Sequence, residues 1–267
     1  MSFRNYGNIT IGKFWPGVHM LRRMKYLSDQ QGIINRYLRE RSGWQEHLEN
    51  TRKFVMQNIA SAKPSSINVL GSGWLLDFPL EEVYDVCRDI ILTDIQHPPQ
   101  IIRKVKEFPG VRLKLDDVTG GMIQNTYNFV KEARKSNTVF KLEKLSKSKP
   151  EKERGVYYVS LNILNQLDIL LVDYLLNYFS FDEQQIIGFR SFLQQTHIDL
   201  VRSQGCMVTD IEEVHETSGG TIKGVKNLLF GNLPVTEKRK EWTWNFDASG
   251  TYHPGTVTRM KVVAISC

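Results

Sequence analysis

Cysteine is scarce in this chain. Three residues, Cys87, Cys206 and Cys267, lie far apart among 267. They form no C-x-x-C pair and no metal-ligand spacing, which argues against a disulfide framework and a cysteine-based metal core. Reduced thiols in a cytoplasmic protein are expected. Long apolar runs are also lacking. The longest candidate, Ile169 to Phe179, is broken by Asp173 and Asn177, too short and too polar to span a bilayer. The N-terminal region carries Arg4, Lys13, Arg22 and Arg23 but no uninterrupted apolar stretch, so no signal peptide is expected. There is no internal repeat. No segment reads Gly-x-x-x-x-Gly-Lys-Ser/Thr, no nucleophile elbow appears, and His-Glu-x-x-His is absent. Those absences remove P-loop, α/β-hydrolase and zincin chemistry from consideration.

Charge is present but unevenly placed. The formal net charge is +6. Residues Lys131 to Arg154 hold nine Lys/Arg and four Asp/Glu, a local +5. The rest of the chain is therefore near neutral. A dedicated nucleic-acid binder carries its basic face in the fold itself, so nucleic acid is not indicated. The segment is rich in lysine and serine. It reads as a mobile, dispensable surface insertion that an acidic partner or substrate can meet.

The hydrophobic pattern divides the chain. Residues 1–16 read as a loose tail, with Gly7, Gly12 and Pro16 as breakers. Val18 to Ala62 is helical in period. Ile33, Ile34, Tyr37 and Leu38 share one helix face. Ser42-Gly43 interrupts, and a second helix fits Trp44 to Ala62, with Leu48, Val55 and Ile59 on one side. Trp44 and His47 open that helix as packed aromatics or as part of a lid. Beyond Ile67, strands are expected near 67–70, 89–93, 111–115, 156–161 and 205–210. Helices fit 79–87, 97–107, 120–135, 166–178 and 182–203. Alternation of this kind predicts a mostly parallel sheet. Glu241 to Phe246 and Thr256 to Ser266 then read as an antiparallel hairpin around the turn residues Asp247 to Gly250. The expected domains are 1–62, tail and helices, and 63–267, an α/β unit with the basic insertion 131–154.

One segment stands out within that unit. Ile67-Asn68-Val69-Leu70 runs into Gly71-Ser72-Gly73, and about twenty residues later Ile90-Ile91-Leu92 ends in Thr93-Asp94. A strand, a glycine turn, a helix and a strand closing on an acid form half of a nucleotide-binding unit. The glycines admit a ligand to the backbone, and the acid can accept hydrogen bonds from a ribose. Further along, Val111 to Val118 alternates and ends in Asp116-Asp117. Tyr157 to Leu167 ends in small polar residues around Asn162.

The order of these motifs resembles the class I S-adenosylmethionine-dependent methyltransferases, over about Ile67 to Cys267. The resemblance implies a Rossmann-like, seven-stranded mixed sheet whose last strand inserts antiparallel beside the preceding one, with the N-terminal helices as an appendage. It implies S-adenosylmethionine as cofactor, bound at the carboxyl ends of the strands. Gly71, Ser72 and Gly73 match the cofactor turn, although Asn68 stands where the family often has an acid and Trp74-Leu75 where it has a third glycine. Asp94 matches the acid that grips the ribose. Asp117 matches the acid beside the adenine amino group, and Asn162 faces cofactor and substrate. Other readings stay open for each. Asp94 can end a strand or cap the helix before Pro98, Asp117 can be a solvated turn acid, and Asn162 with Asn165 can cap the next helix. The activity implied is methyl transfer to an unidentified substrate, a small molecule or an acidic one. The alternatives are a non-catalytic module that keeps the fold, and a nicotinamide-dependent oxidoreductase, for which Gly-x-Gly without a third glycine is a poor fingerprint. His197 and Asp199 are too close in sequence to share a helix face. His215 with Glu212, Glu213 and Glu216 reads as a solvated acidic loop that can reach the pocket mouth. No metal site is expected.

Overall fold

A strand buried at every position is covered on both faces, and this rule locates the centre of the sheet. Ile67–Leu70 (β2) has all four residues buried. In the computed structural model, which describes residues 9–136, 141–202 and 204–266, β2 pairs in parallel with Ile90–Asp94 (β3) on one side and Tyr157–Leu161 (β5) on the other. Val111–Leu115 (β4) lies beyond β3 and Gly205–Glu216 (β6) beyond β5, both parallel. Arg239–Asp247 (β8) and Val257–Ser266 (β9) form the antiparallel hairpin, and β9 inserts between β6 and β8. The seven expected strands thus stand in the arrangement that the resemblance implied.

Two further strands join them. Ile9–Ile11 (β1) pairs in parallel with the outer edge of β4, where the sequence suggested a loose tail. An open strand edge needs partners for its backbone groups, and β1 supplies them. Asp116 Oδ1 then accepts from Phe14 N at 2.9 Å, and the Trp15 indole donates to Ile95 O at 2.8 Å. The rest of the suggested tail, residues 1–8, lies outside the described residues, as does Cys267. Ile222–Asn227 (β7) pairs only with β6. Its two branched apolar side chains, Ile222 and Val225, are exposed, so it left no burial pattern to read. Cys87 and Cys206 are buried, and neither forms a disulfide.

Helices cover the faces. Val18–Arg23 (α1), Tyr26–Arg39 (α2) and Arg41–Ala62 (α3) precede the sheet. Leu48, Val55 and Ile59 of α3 are buried, as their spacing predicted, but α2 buries none of its residues fully, and Leu38 is exposed. The break between these two helices falls at Glu40, not at Ser42-Gly43. Gly43 has a different use. A Cβ there would meet Asn245 O at 2.8 Å, so glycine lets the first turn of α3 lie against β8. Leu80–Val86 (α4), Pro99–Lys104 (α5), Met122–Ser136 (α6), Gln166–Leu176 (α7) and Glu183–Val201 (α8) connect the strands. Asp182 and Gln185 form a reciprocal capping box at the start of α8. No described helix is long and apolar enough to cross a membrane.

The basic insertion departs from its expectation. Residues 137–140 lie outside the described residues, but 141–154 are anchored. Leu142 and Leu145 are buried in a cluster with Met122, Phe129 and Leu171. The Asn125 amide donates to Ser146 O at 2.9 Å, and Glu153 N donates to the Tyr158 hydroxyl at 2.8 Å. Lysine-rich composition hid two leucines at i, i+3 spacing. Leu142→Ala and Leu145→Ala are each expected to cost about 2–5 kcal/mol, the range for buried leucines. Urea denaturation checks this; losses below about 0.5 kcal/mol, typical of surface positions, would return the segment to the status of a dispensable loop.

Candidate active site

The strand order leaves a crevice at the carboxyl ends of β2, β3, β4 and β5, where open α/β sheets bind ligands. A cavity of about 290 Å³ occupies it. Gly71, Ser72, Gly73, Asp94, Asp117 and Asn162 all line this one space.

The turn after β2 is built on positive φ. Gly71 sits at φ 68° and Gly73 at φ 45°, where L side chains are strained. A Cβ on Gly71 would meet the Ile163 side chain at 2.0 Å. Gly73 N donates to Asp94 Oδ2 at 2.7 Å, which locks the turn to the end of β3. Asp94 Oδ1 receives long contacts from Gln96 N at 3.3 Å and Gln30 Nε2 at 3.5 Å, and the Ile95 backbone also reaches the carboxylate. Asp94 lines the cavity. It does not cap α5, whose N-cap is Pro98. Trp74 lines the cavity, and its indole donates to Gln30 O at 3.0 Å, joining the turn to α2.

Asp117 is buried, not solvated. It accepts from Thr119 N at 2.9 Å, Thr119 Oγ1 at 2.6 Å and Ile123 N at 3.1 Å, so it fastens the start of α6 while lining the cavity. Asn162, at φ 52°, holds the turn after β5. Its amide nitrogen stands 2.8 Å from Asp77 Oδ2 and 3.0 Å from His47 Nε2, and its Oδ1 has no partner. Neither Asn162 nor Asn165 caps α7 with its side chain. Asn165 donates to Asp210 Oδ2 at 2.7 Å.

Several lining residues carried no signal in the sequence. Asp77 follows the glycine turn, and Gln30 and Arg36 lie on α2, which the periodicity showed only as a helix. Asp210 reaches the cavity from β6, with Oδ1 buried and without a partner. A register shift of β6 against β9 between Asp210 and Glu212 leaves Ile211 unpaired. Such a bulge re-aims side chains, and both Asp210 and Glu213 line the cavity. His47 is stacked on Trp244 with ring centroids 3.9 Å apart, and its Nδ1 accepts from the Trp242 indole at 3.1 Å. His197 plays no part here. It is buried, with Nε2 2.8 Å from Ser160 Oγ.

The cavity is acidic within a basic chain. Among the described residues, Asp29, Asp77, Asp94, Asp117, Asp210 and Glu213 line it, against the single guanidinium of Arg36. Burial pushes Asp94, Asp117 and Asp210 up to about 6 and raises Asp77 and Asp29 as well. Burial pushes His47 down to about 3, so it stays neutral near pH 7. An enclosure of this kind favours a ligand that brings positive charge.

No protein-family model matches the chain, and no curated protein matches it. Solved structures similar to it include 1,6-didemethyltoxoflavin-N1-methyltransferase from Burkholderia thailandensis, with 1,6-didemethyltoxoflavin and S-adenosylhomocysteine bound. That likeness has 12% identity, 94% of this chain and 90% of that one covered, and a TM-score of 0.39. A DhpI-SAM-HEP complex shares 10% identity over 93% of this chain and 99% of that one, with a TM-score of 0.39. The N-methyltransferase NodS from Bradyrhizobium japonicum WM9 shares 12% over 80% and 94%, with a TM-score of 0.30. The likeness is distant in both sequence and superposition.

The raised Asp94 carboxyl has a stability consequence. Its value in the fold is about 6 against an ordinary 3.8, so the folded state binds this proton more tightly than the unfolded chain. The stability tied to that proton is present below about pH 4 and is lost as pH rises through 6. Asp94→Asn, which cannot ionise, should therefore gain on the wild type between pH 4.5 and 7.5, by roughly 2 kcal/mol. Chemical denaturation at the two pH values measures the gap. A gap independent of pH would show that Asp94 is not held protonated by burial.

Proposed function

We propose that this protein transfers a methyl group from S-adenosylmethionine to a small molecule. The observation that carries the reading is the Gly73–Asp94 hydrogen bond of 2.7 Å. It fixes one carboxylate oxygen on the glycine turn, while the contacts of the other with Gln96 and Gln30 are long, 3.3 and 3.5 Å, an arrangement suited to a ribose diol.

The cofactor's chemistry fits the residues present. Gly71 and Gly73 allow close approach of a ligand to the backbone. Asp94 would hold the ribose, and Asp117 with Val118 would line the adenine end. Asn162, with its unpartnered Oδ1, and Ser72, whose Oγ is also buried without a partner, offer polar contacts near the turn. The acidic lining suits a ligand carrying both a sulfonium and an ammonium group. When bound, S-adenosylmethionine supplies an electrophilic methyl, so side chains need only position the acceptor and remove its proton.

The far side of the cavity supplies those functions. Trp244, Phe246 and Tyr252 give an aromatic wall, and Asp210 presents an unpaired Oδ1 beside them. A carboxyl with a value about 6 can accept a proton from an acceptor N–H or O–H near neutral pH. Helices α2 and α3 contribute Arg36, Trp44 and His47 to the lining, which narrows the space to small molecules.

Calorimetry with S-adenosylhomocysteine tests the reading. The wild type should bind, and Asp94→Ala should weaken binding by about 1.5–3 kcal/mol, as for a hydrogen bond to a charged group. Unchanged affinity in the folded variant would remove Asp94 from the site. No binding by the folded wild type would favour the alternative, a non-catalytic module with this fold.

A further inference from the structure

Glu213 and His215 lie two residues apart on β6, and alternation puts them on one face. His253 arrives there from the loop between β8 and β9. His253 Nε2 stands 2.8 Å from Glu213 Oε1, and His215 Nε2 stands 2.9 Å from the same oxygen. The three ligand atoms lie within 4.8 Å of one another. The two imidazole rings meet edge to face, with centroids 4.4 Å apart. Glu213 is buried at 3% side-chain exposure and lines the cavity, whereas both imidazoles are only half-buried. The β7 residue opposite His215 is Gly224, which has no atom within 4 Å of where a Cβ would point. Lys226, the neighbour of Glu213 across β7, reaches only the other oxygen, Oε2, at 4.0 Å.

We propose that Glu213, His215 and His253 bind a divalent first-row transition metal at the rim of the cavity, with coordination positions left open to a small oxygen donor. Two imidazole nitrogens and one carboxylate oxygen suit zinc, iron(II) or cobalt(II); magnesium and calcium prefer oxygen sets. Bonds of about 2.0–2.2 Å set neighbouring donors roughly 3–3.5 Å apart, so small side-chain rotations would admit the ion. A buried carboxylate also needs compensation. Both imidazoles reach the same oxygen, Oε1, and among the described residues Lys226 approaches Oε2 only to 4.0 Å. A divalent ion would compensate the carboxylate directly. The site is independent of the methyl-transfer reading, although Glu213 and Tyr252, the neighbour of His253, border the same cavity.

Titration of the full chain, stripped of metal by a chelator, with Co²⁺ tests the proposal. The wild type should take up one equivalent with visible d–d absorption, and Zn²⁺ should displace it. His253→Asn and Glu213→Gln should each weaken uptake by at least about 100-fold, the upper end for changes in supporting shells. Circular dichroism establishes that the variants fold. His253→Asp, which keeps a ligand, should retain Co²⁺ with an altered spectrum. Acetohydroxamate, a small bidentate oxygen donor, should shift the bands without removing the ion. Lack of uptake by the wild type, or uptake that survives both substitutions, would overturn the site. Bands that acetohydroxamate leaves unmoved would overturn the open positions. S-adenosylhomocysteine binding by His253→Asn should match the wild type, so failure of the metal site and failure of the cofactor reading register in separate measurements.

Discussion

The enclosed cavity depends on one stacked pair. His47, from the third helix, lies flat on Trp244, from the eighth strand, with ring planes 8° apart. The Trp44 indole, one helical turn earlier, donates to Phe246 O at 2.9 Å, and Gly43 lets the backbones approach. These contacts hold the N-terminal helices on the C-terminal hairpin. Both elements then become walls of a space whose floor belongs to the middle of the chain. Stacking of this kind excludes water as well as adding ring contact. It also explains why His47 stays uncharged, since a protonated imidazole buried between indoles would lack solvation.

Charge is sorted by depth. The lysines and arginines give the chain its +6, yet the cavity gathers six carboxyls around one guanidinium. Burying so many acids together opposes folding, and the fold offsets this by hydrogen bonding nearly all of them. Asp117 takes three donors, Asp94 takes Gly73 N, Asp77 takes Asn162, and Glu213 takes two imidazoles. Among the described residues, Asp210 Oδ1 is the buried carboxylate oxygen left without a partner. An unsatisfied buried acceptor costs stability, and such costs concentrate where a ligand completes the bonding.

The sequence made the α/β body legible because local pattern and tertiary role agree there. Ile67 to Leu70, three apolar residues of four, reads as a central strand, and Gly71 and Gly73 allow a turn at positive φ. Asp94, Asp117 and Asn162 line one cavity because strand ends carry them to one edge of the sheet. Other features depend on pairings that no local window contains. The first strand is too short to announce itself and exists because the β4 edge is open. Leu142 and Leu145 were masked by the lysines around them. His253 sits in a loop of ordinary composition, forty residues from Glu213, and only the hairpin geometry brings them together. The bulge at Ile211 is likewise invisible without its partner strand, yet Asp210 and Glu213 face the cavity on either side of it.

The ninth strand lies between β6 and β8, although it is the last of the nine to be synthesised. During translation the parallel strands through β6 can associate while the outer edge of β6 still lacks its neighbour. That edge is twelve residues long, and an unpaired edge of this kind invites association with other chains. Nor can the cavity close before then, because Trp244, Phe246 and Met260 are among its walls. The walled cavity in this protein is therefore a late product of folding. A nascent chain that stalls before β9 has most of its sheet, the glycine turn and Asp94, but no enclosure around them.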